Sequence, residues 1–115
     1  MVQIRTHKDK DVEINFGIGE LTQIDKELGL EMEQINLGEG LEMLVPKLQT
    51  ANVIAISKIL KATIPNKHKP KNDEELEKVL INILDDYETF QAFGDACLKK
   101  LKEGRLTREL LADVE

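Results

Sequence analysis

Two glycines between a predicted strand and a predicted helix come closest to a nucleotide-binding motif in this sequence. Gly17 and Gly19 enclose a single residue, as in loops whose backbone amides cradle phosphate groups. The dinucleotide fingerprint needs a third glycine where this chain has Thr22. Glu20 also places negative charge at the start of the helix, where a pyrophosphate would have to bind. We therefore interpret both glycines as residues that end a strand.

Residues that could bind a metal or act as nucleophiles are few and far apart. His7 and His68 have no cysteine or second histidine at ligand spacing, so we interpret both as surface residues. Cys97, the only cysteine, lies among apolar residues, where a free thiol packs as a small hydrophobe. Ser57, the only serine, has no histidine close to it in the sequence. We expect no enzymatic activity, no cofactor and no metal.

A lysine-rich segment is the third feature that could carry a function. Residues 58–71 contain five lysines and no acidic residue, in a chain whose formal net charge is −6. Such a segment is either a docking surface for an acidic partner or a solvated loop, and we favour the solvated loop. If it docks a partner, the candidate contacts are Lys67, Lys69 and Lys71.

Charge and composition argue against two classes of partner. The net charge of −6 opposes nucleic-acid binding, which depends on clustered lysines and arginines. One tyrosine, three phenylalanines and no tryptophan are too few aromatic rings for a base-stacking surface. No apolar run approaches the roughly 20 residues that cross a bilayer, and the N-terminus lacks a signal-peptide pattern. We expect a cytoplasmic protein that binds neither nucleic acid nor a membrane.

The elements that must position these residues begin with a β-hairpin. Val2 and Ile4 alternate with polar residues, and so do Val12, Ile14 and Phe16, with a charged stretch between the two runs. A lone hairpin is marginally stable in water, so its apolar face must pack on other elements, which we expect to be helices.

Three stretches with helical spacing follow the hairpin. The apolar pattern predicts helices over residues 20–28, about 38–49 and about 53–64, with a linking loop over residues 30–37. Gly29 ends the first helix. Asn52 is placed to cap the third, whose Val53 we expect to face inward. Pro46 must kink the second helix or lie close to its start, because proline has no N–H to donate.

The C-terminal half carries a heptad-like stripe of apolar residues from Leu76 to Leu101. Asn72 or Asp73 caps its start, and acidic residues crowd the first turns, where the helix dipole favours them. The stripe is one long helix or two. We favour two, broken near Asp85 and Asp86, because aspartate is a good N-cap.

Together these elements predict an α+β fold that is mostly α, with an N-terminal β-hairpin packed on a bundle of about four to five helices. A chain of 115 residues suits one domain. We assign residues 1–104 to that domain. Residues 105–115 form a C-terminal tail that is either a short helix or frayed.

Several landmarks in this order resemble the tail assembly chaperones of long-tailed phages and prophages of Gram-positive bacteria. Phe16-Gly17 follows the hairpin, and an L-x-x-I-D-x-x-L-G helix runs from Leu21 to Gly29. The most telling piece is the L-G-x-G-L-x-x-L-x-P block from Leu37 to Pro46. A Pro/Lys loop then precedes an acidic helix. The resemblance runs from about residue 2 to residue 104.

The resemblance implies a non-catalytic chaperone that binds the tape-measure protein and keeps it soluble while tail-tube subunits polymerise around it. Such proteins are absent from the finished virion. They are often made in two lengths by ribosomal frameshifting, and the longer form would contact the tail tube protein. The resemblance also implies self-association into a homo-oligomer.

An apolar helix face is the usual means of holding a partner helix. The apolar candidates for partner contact are Leu41, Leu44 and Leu48, although we expect most apolar residues of so short a chain to form its own core. The alternative functions are a structural tail or head–tail connector component, which would be found in purified particles, and a small nucleic-acid-binding regulator.

Overall fold

A computed structural model describes residues 2–29, 39–104 and 107–108, with the backbone alone for Gly29 and residues 39–43. The predicted linking loop over residues 30–37 and most of the predicted tail lie outside these ranges. Within them, the chain forms two strands, five α-helices and a short 3₁₀ helix, Asn66–His68.

The N-terminal hairpin has the predicted strands and face. β1 (Val2–Arg5) pairs antiparallel with β2 (Asp11–Ile14), placing Val2 opposite Ile14 and Ile4 opposite Val12. These pairs share one face because side chains alternate along a strand. Three of the four are almost fully buried, and Val12 is partly buried. In the turn, Thr6 N donates to Lys10 O over 2.8 Å.

The start of the first helix differs from the prediction. β2 ends at Ile14, and α1 runs over Ile18–Gly29, so neither Gly17 nor Gly19 ends the strand. Leu21 N donates to Gly17 O over 2.9 Å. The first helical turn therefore forms earlier in the chain than residue 20, where the apolar spacing predicts the start of the helix. Gly19 therefore lies inside the helix. Gly29 is the last residue of α1, as predicted.

α2 (Glu39–Gln49) and α3 (Val53–Thr63) lie close to their predicted bounds. Pro46 lies inside α2, so the idea that the helix begins beside it is wrong. Asn52 caps α3 as predicted, because its side chain accepts from Ala55 N over 2.9 Å. The inward placement of Val53 is wrong: it is 39% exposed, and Ala55 is buried instead.

The C-terminal stripe forms two helices, α4 (Asp73–Tyr87) and α5 (Phe90–Glu103). The favoured number of helices is confirmed and the break lies shortly after Asp86, but the expected aspartate cap is wrong. Glu88, with φ of 74°, ends α4, and Thr89 caps α5 by accepting from Ala92 N over 3.0 Å. Asp85 and Asp86 stay in α4, where they face Arg5 instead of capping a helix.

The elements pack as two groups. α1, α2 and α3 contact one another, while β1 lies against α4 and α5, which also contact each other. The contact between α2 and α5 joins the groups. There, a side chain at Gly94 would place its Cβ 2.6 Å from the carbonyl oxygen of Leu48, so the close approach requires glycine. The predicted mostly α fold, with a hairpin packed on helices, is confirmed.

Candidate functional site

The hairpin turn is attached to α4 by a buried amide. Asn82 is 3% exposed, and its Nδ2 donates to the carbonyl oxygen of Thr6 over 2.9 Å. Thr6 in turn accepts from Lys8 N and Lys10 N through its hydroxyl. A buried amide that finds acceptors in a neighbouring element fixes how the two elements sit, because losing them would leave polar groups unsatisfied.

Ion pairs surround this amide at the surface. Arg5 Nε lies 2.9 Å from an Asp86 carboxylate oxygen, and its guanidinium also reaches Asp85 and Asp9, at 3.8 and 3.3 Å. These carboxylates raise the pKa of Arg5, with the Asp86 hydrogen bond contributing most. Lys78 Nζ lies 3.6 Å from Asp9. Lys78 and the α4 carboxylates near the hairpin, Asp85 and Asp86, are thus paired within the molecule.

His7 lies beside this attachment, and its prediction as a surface residue is wrong. Its side chain is 12% exposed, and Nε2 lies 3.5 Å from a carboxylate oxygen of Glu75. The turn folds back on α4, which covers the imidazole. The charged residues next to His7 in the sequence favoured an exposed side chain, so its burial could not be predicted from them.

The single thiol is placed as predicted. Cys97 is fully buried on α5, and desolvation raises its pKa to about 12. A thiol in this state carries almost no nucleophilic thiolate at neutral pH. In the described ranges no group of three or more His, Cys, Asp or Glu side chains could hold a metal ion. No helix within them is long and apolar enough to span a bilayer.

The candidate lysines lie on and after the 3₁₀ helix. Lys67 and Lys71 are exposed, and Lys69 is half-buried at the rim of an open cleft of about 370 Å³. The cleft lies between the end of β2, the start of α1 and the end of α3, and Glu13 and Glu20 also line it. The structure thus brings the three lysines to one loop, but with acidic groups beside Lys69.

Two of the three candidate leucines lie in the core, and the side chain of the third is not described. Leu44 and Leu48 have no exposed surface, so a partner could reach them only if α2 left the core. Leu41 lies in α2, but its side chain falls outside the described part of the structure. In this fold Leu44 and Leu48 are core residues, which is what we expected for most apolar residues of so short a chain.

In the part of the chain that the structure describes, the exposed large apolar side chains are different residues, and of these only Val53 drew an expectation from the sequence, which was that it faces inward. They are Ile18, Val53, Ile54, Ile81 and Leu84. On α4, Ile81 is 57% exposed and Leu84 is 37% exposed. Neither belongs to the heptad-like stripe, but this alone does not predict exposure, because Val79 also lies outside the stripe and is fully buried. The members of the stripe are Leu76, Leu80, Ile83, Tyr87, Phe90, Gly94, Cys97 and Leu101. Apolar residues left over from a helix's core stripe are candidates for partner contact.

Comparison with protein families gives a match, whereas the two comparisons with individual proteins do not. Among curated proteins and among solved structures, no significant similarity is found. A family model described as phage tail assembly chaperone protein, TAC, matches residues 6–115, which is nearly the whole chain and includes the hairpin turn and all five helices. The earlier resemblance, built on the Leu37–Pro46 block and its neighbours, is confirmed at the level of the family. This chain belongs to the phage tail assembly chaperone family.

Proposed function

We propose that this protein binds the tape-measure protein of its phage and keeps it soluble during assembly of the tail tube. The observation that carries the proposal is the family match over residues 6–115. The surface is consistent with a holding function, because it combines exposed apolar side chains with a net charge of −6 that favours solubility. The protein would act by binding alone, without catalysis.

The proposal extends to where the protein works and to its other partners. It acts in the host cytoplasm and leaves the complex before the virion is complete. A longer frameshifted form would link it to the tail tube protein, and a homo-oligomer would offer several copies of the binding surface to one long client. These points rest on the resemblance of the sequence to the family.

Co-expression with the tape-measure protein tests this function. We expect the tape-measure protein to move from the insoluble to the soluble fraction and to co-purify with this chain. Purified particles should contain no copy of the chain when probed by mass spectrometry. A tape-measure protein that stays insoluble and unbound would contradict the proposal, and the chain found in particles would favour a structural tail component.

The lysine loop gives a prediction of its own. If Lys67, Lys69 and Lys71 contact an acidic segment of the tape-measure protein, replacing all three with glutamate should weaken co-purification about tenfold or more, because three attractions become repulsions. The comparison is the same triple exchange at Lys8, Lys10 and Lys26, which are exposed and lie on other elements. If the loop variant captures as much tape-measure protein as the wild type, the lysine segment is a solvated loop and not a docking surface.

A further inference from the structure

The acidity of this protein is concentrated on one helix. α4 contains six carboxylate residues and one lysine, a formal charge of −5 against −6 for the whole chain. Its inner side packs on β1 and α5 through Leu76, Val79 and Ile83. Asp73, Glu74 and Glu77 are exposed, whereas Glu75, Asp85 and Asp86 pair with His7 or Arg5 of the hairpin.

Two apolar side chains interrupt this acidic surface. Ile81 and Leu84 are three residues apart, so they are neighbours on the helix surface, and both are exposed. Glu77 lies one turn before Ile81 in the helix. Glu88, the exposed residue that caps α4, donates its backbone N–H to Leu84 O. We call these four residues the outer α4 face. Exposure of isoleucine and leucine side chains to water is unfavourable, whereas their burial against a partner would stabilise a complex.

The charges at the two ends of the outer α4 face are free for a partner. Arg5 faces Asp85 and Asp86, and Lys78 faces Asp9. In contrast, Glu77 and Glu88 form no ion pair with any residue that the structure describes. A partner with lysine or arginine at matching positions would therefore meet carboxylates that are not already neutralised.

We propose that the outer α4 face docks a helical segment of the client whose apolar residues are bordered by lysine or arginine. Two neighbouring side chains on a helix form a ridge, and such a ridge fits a groove on a second helix. The apolar residues of that segment cover Ile81 and Leu84, and its basic residues reach Glu77 and Glu88. This inference rests on the proposed function, since the client is the tape-measure protein.

The test measures capture of co-expressed tape-measure protein by full-length variants of this chain. Ile81→Gln with Leu84→Gln should reduce the captured amount about tenfold or more, because apolar anchors dominate such interfaces. Glutamine forms helices well and both sites are exposed, so the variant should keep the wild-type far-UV CD spectrum. The matched control is Ile54→Gln on α3, which is 62% exposed in the wild type and should retain capture.

The electrostatic part is tested with Glu77→Gln and Glu88→Gln together. Raising NaCl from about 0.05 M to about 0.5 M should weaken wild-type capture by screening, and the double variant should show a smaller decrease. If salt does not weaken capture by the wild type, the inference that the docked segment carries lysine or arginine is wrong.

Each other outcome has a defined meaning. Full capture by the Ile81/Leu84 variant, or an equal loss in the Ile54 control, would overturn the docking face while leaving the proposed function intact. A wild-type chain that captures no tape-measure protein would contradict the proposed function itself. Light scattering adds the last outcome: a wild-type oligomer that the Ile81/Leu84 variant dissociates would assign the face to a second copy and overturn the inference.

Discussion

Replacing Leu48 with alanine is expected to lower the free energy of unfolding by about 2–5 kcal/mol. Leu48 has no exposed surface and lies where α2 crosses α5. Its removal costs the transfer free energy of the lost carbon atoms and leaves a cavity that a crossing of two helices cannot fully close. Small domains are stable by only about 5–15 kcal/mol, so this loss is a large fraction of the total.

Urea unfolding followed by far-UV CD measures this effect. The matched control is Leu84→Ala, the same chemical change on a side chain that is 37% exposed, and we expect it to cost about 1 kcal/mol or less. Equal losses for the two variants would contradict the placement of Leu48 in the core. The comparison also bears on function, because weaker client binding by the Leu48 variant would be explained by unfolding and not by a lost contact.

The second large effect is expected at Gly94, where alanine should lower the free energy of unfolding by about 1–3 kcal/mol. Helix propensity alone would favour alanine over glycine by about 1 kcal/mol. The added Cβ, however, would lie 2.6 Å from the Leu48 carbonyl oxygen, and a backbone atom cannot rotate away. α2 and α5 must therefore move apart, which loosens the contact between the two groups of elements.

Gly19→Ala is the control for this substitution. A Cβ at Gly19, in the first turn of α1, would meet no atom within 4 Å. The propensity gain is then unopposed, and we expect stabilisation by about 0.5 kcal/mol. Thermal and urea unfolding of both variants would show opposite signs for one chemical change. Stabilisation by Gly94→Ala would mean that the helices do not approach each other as closely as the structure shows.

The residues that stabilise the fold differ from the residues that would bind a client. Among the described side chains, Leu44, Val45 and Leu48 of α2 and Phe93 and Leu101 of α5 are buried in the core, so a partner cannot contact them in this fold. In the described part of the chain a small set of exposed apolar side chains remains, of which Ile81 and Leu84 lie between Glu77 and Glu88, two carboxylates that pair with no described residue.

Much of the fold was determined by local patterns in the sequence. Alternation of apolar residues identified the hairpin, because a strand repeats every two residues and a half-buried sheet needs one apolar face. Asn52 was identified as a cap for α3, and Asn72 was one of two candidates for α4, because a free side-chain oxygen can satisfy the first backbone amides of the helix that follows. The order of motifs was sufficient to identify the family, and the match over residues 6–115 agrees.

Tertiary contacts decided the remainder, because periodicity shows that a helix has an apolar face but not which of its residues the neighbouring elements cover. Leu44 and Leu48 are core residues because α1, α3 and α5 all pack against α2, and His7 is covered because the hairpin turn packs onto α4. Asp86 lies inside α4, where Arg5, which is 81 positions away in sequence, donates a hydrogen bond to its carboxylate. The exposure of Ile81 and Leu84 follows from the same cause: β1 and α5 occupy the opposite side of α4, and no other described element covers the side on which these two residues stand.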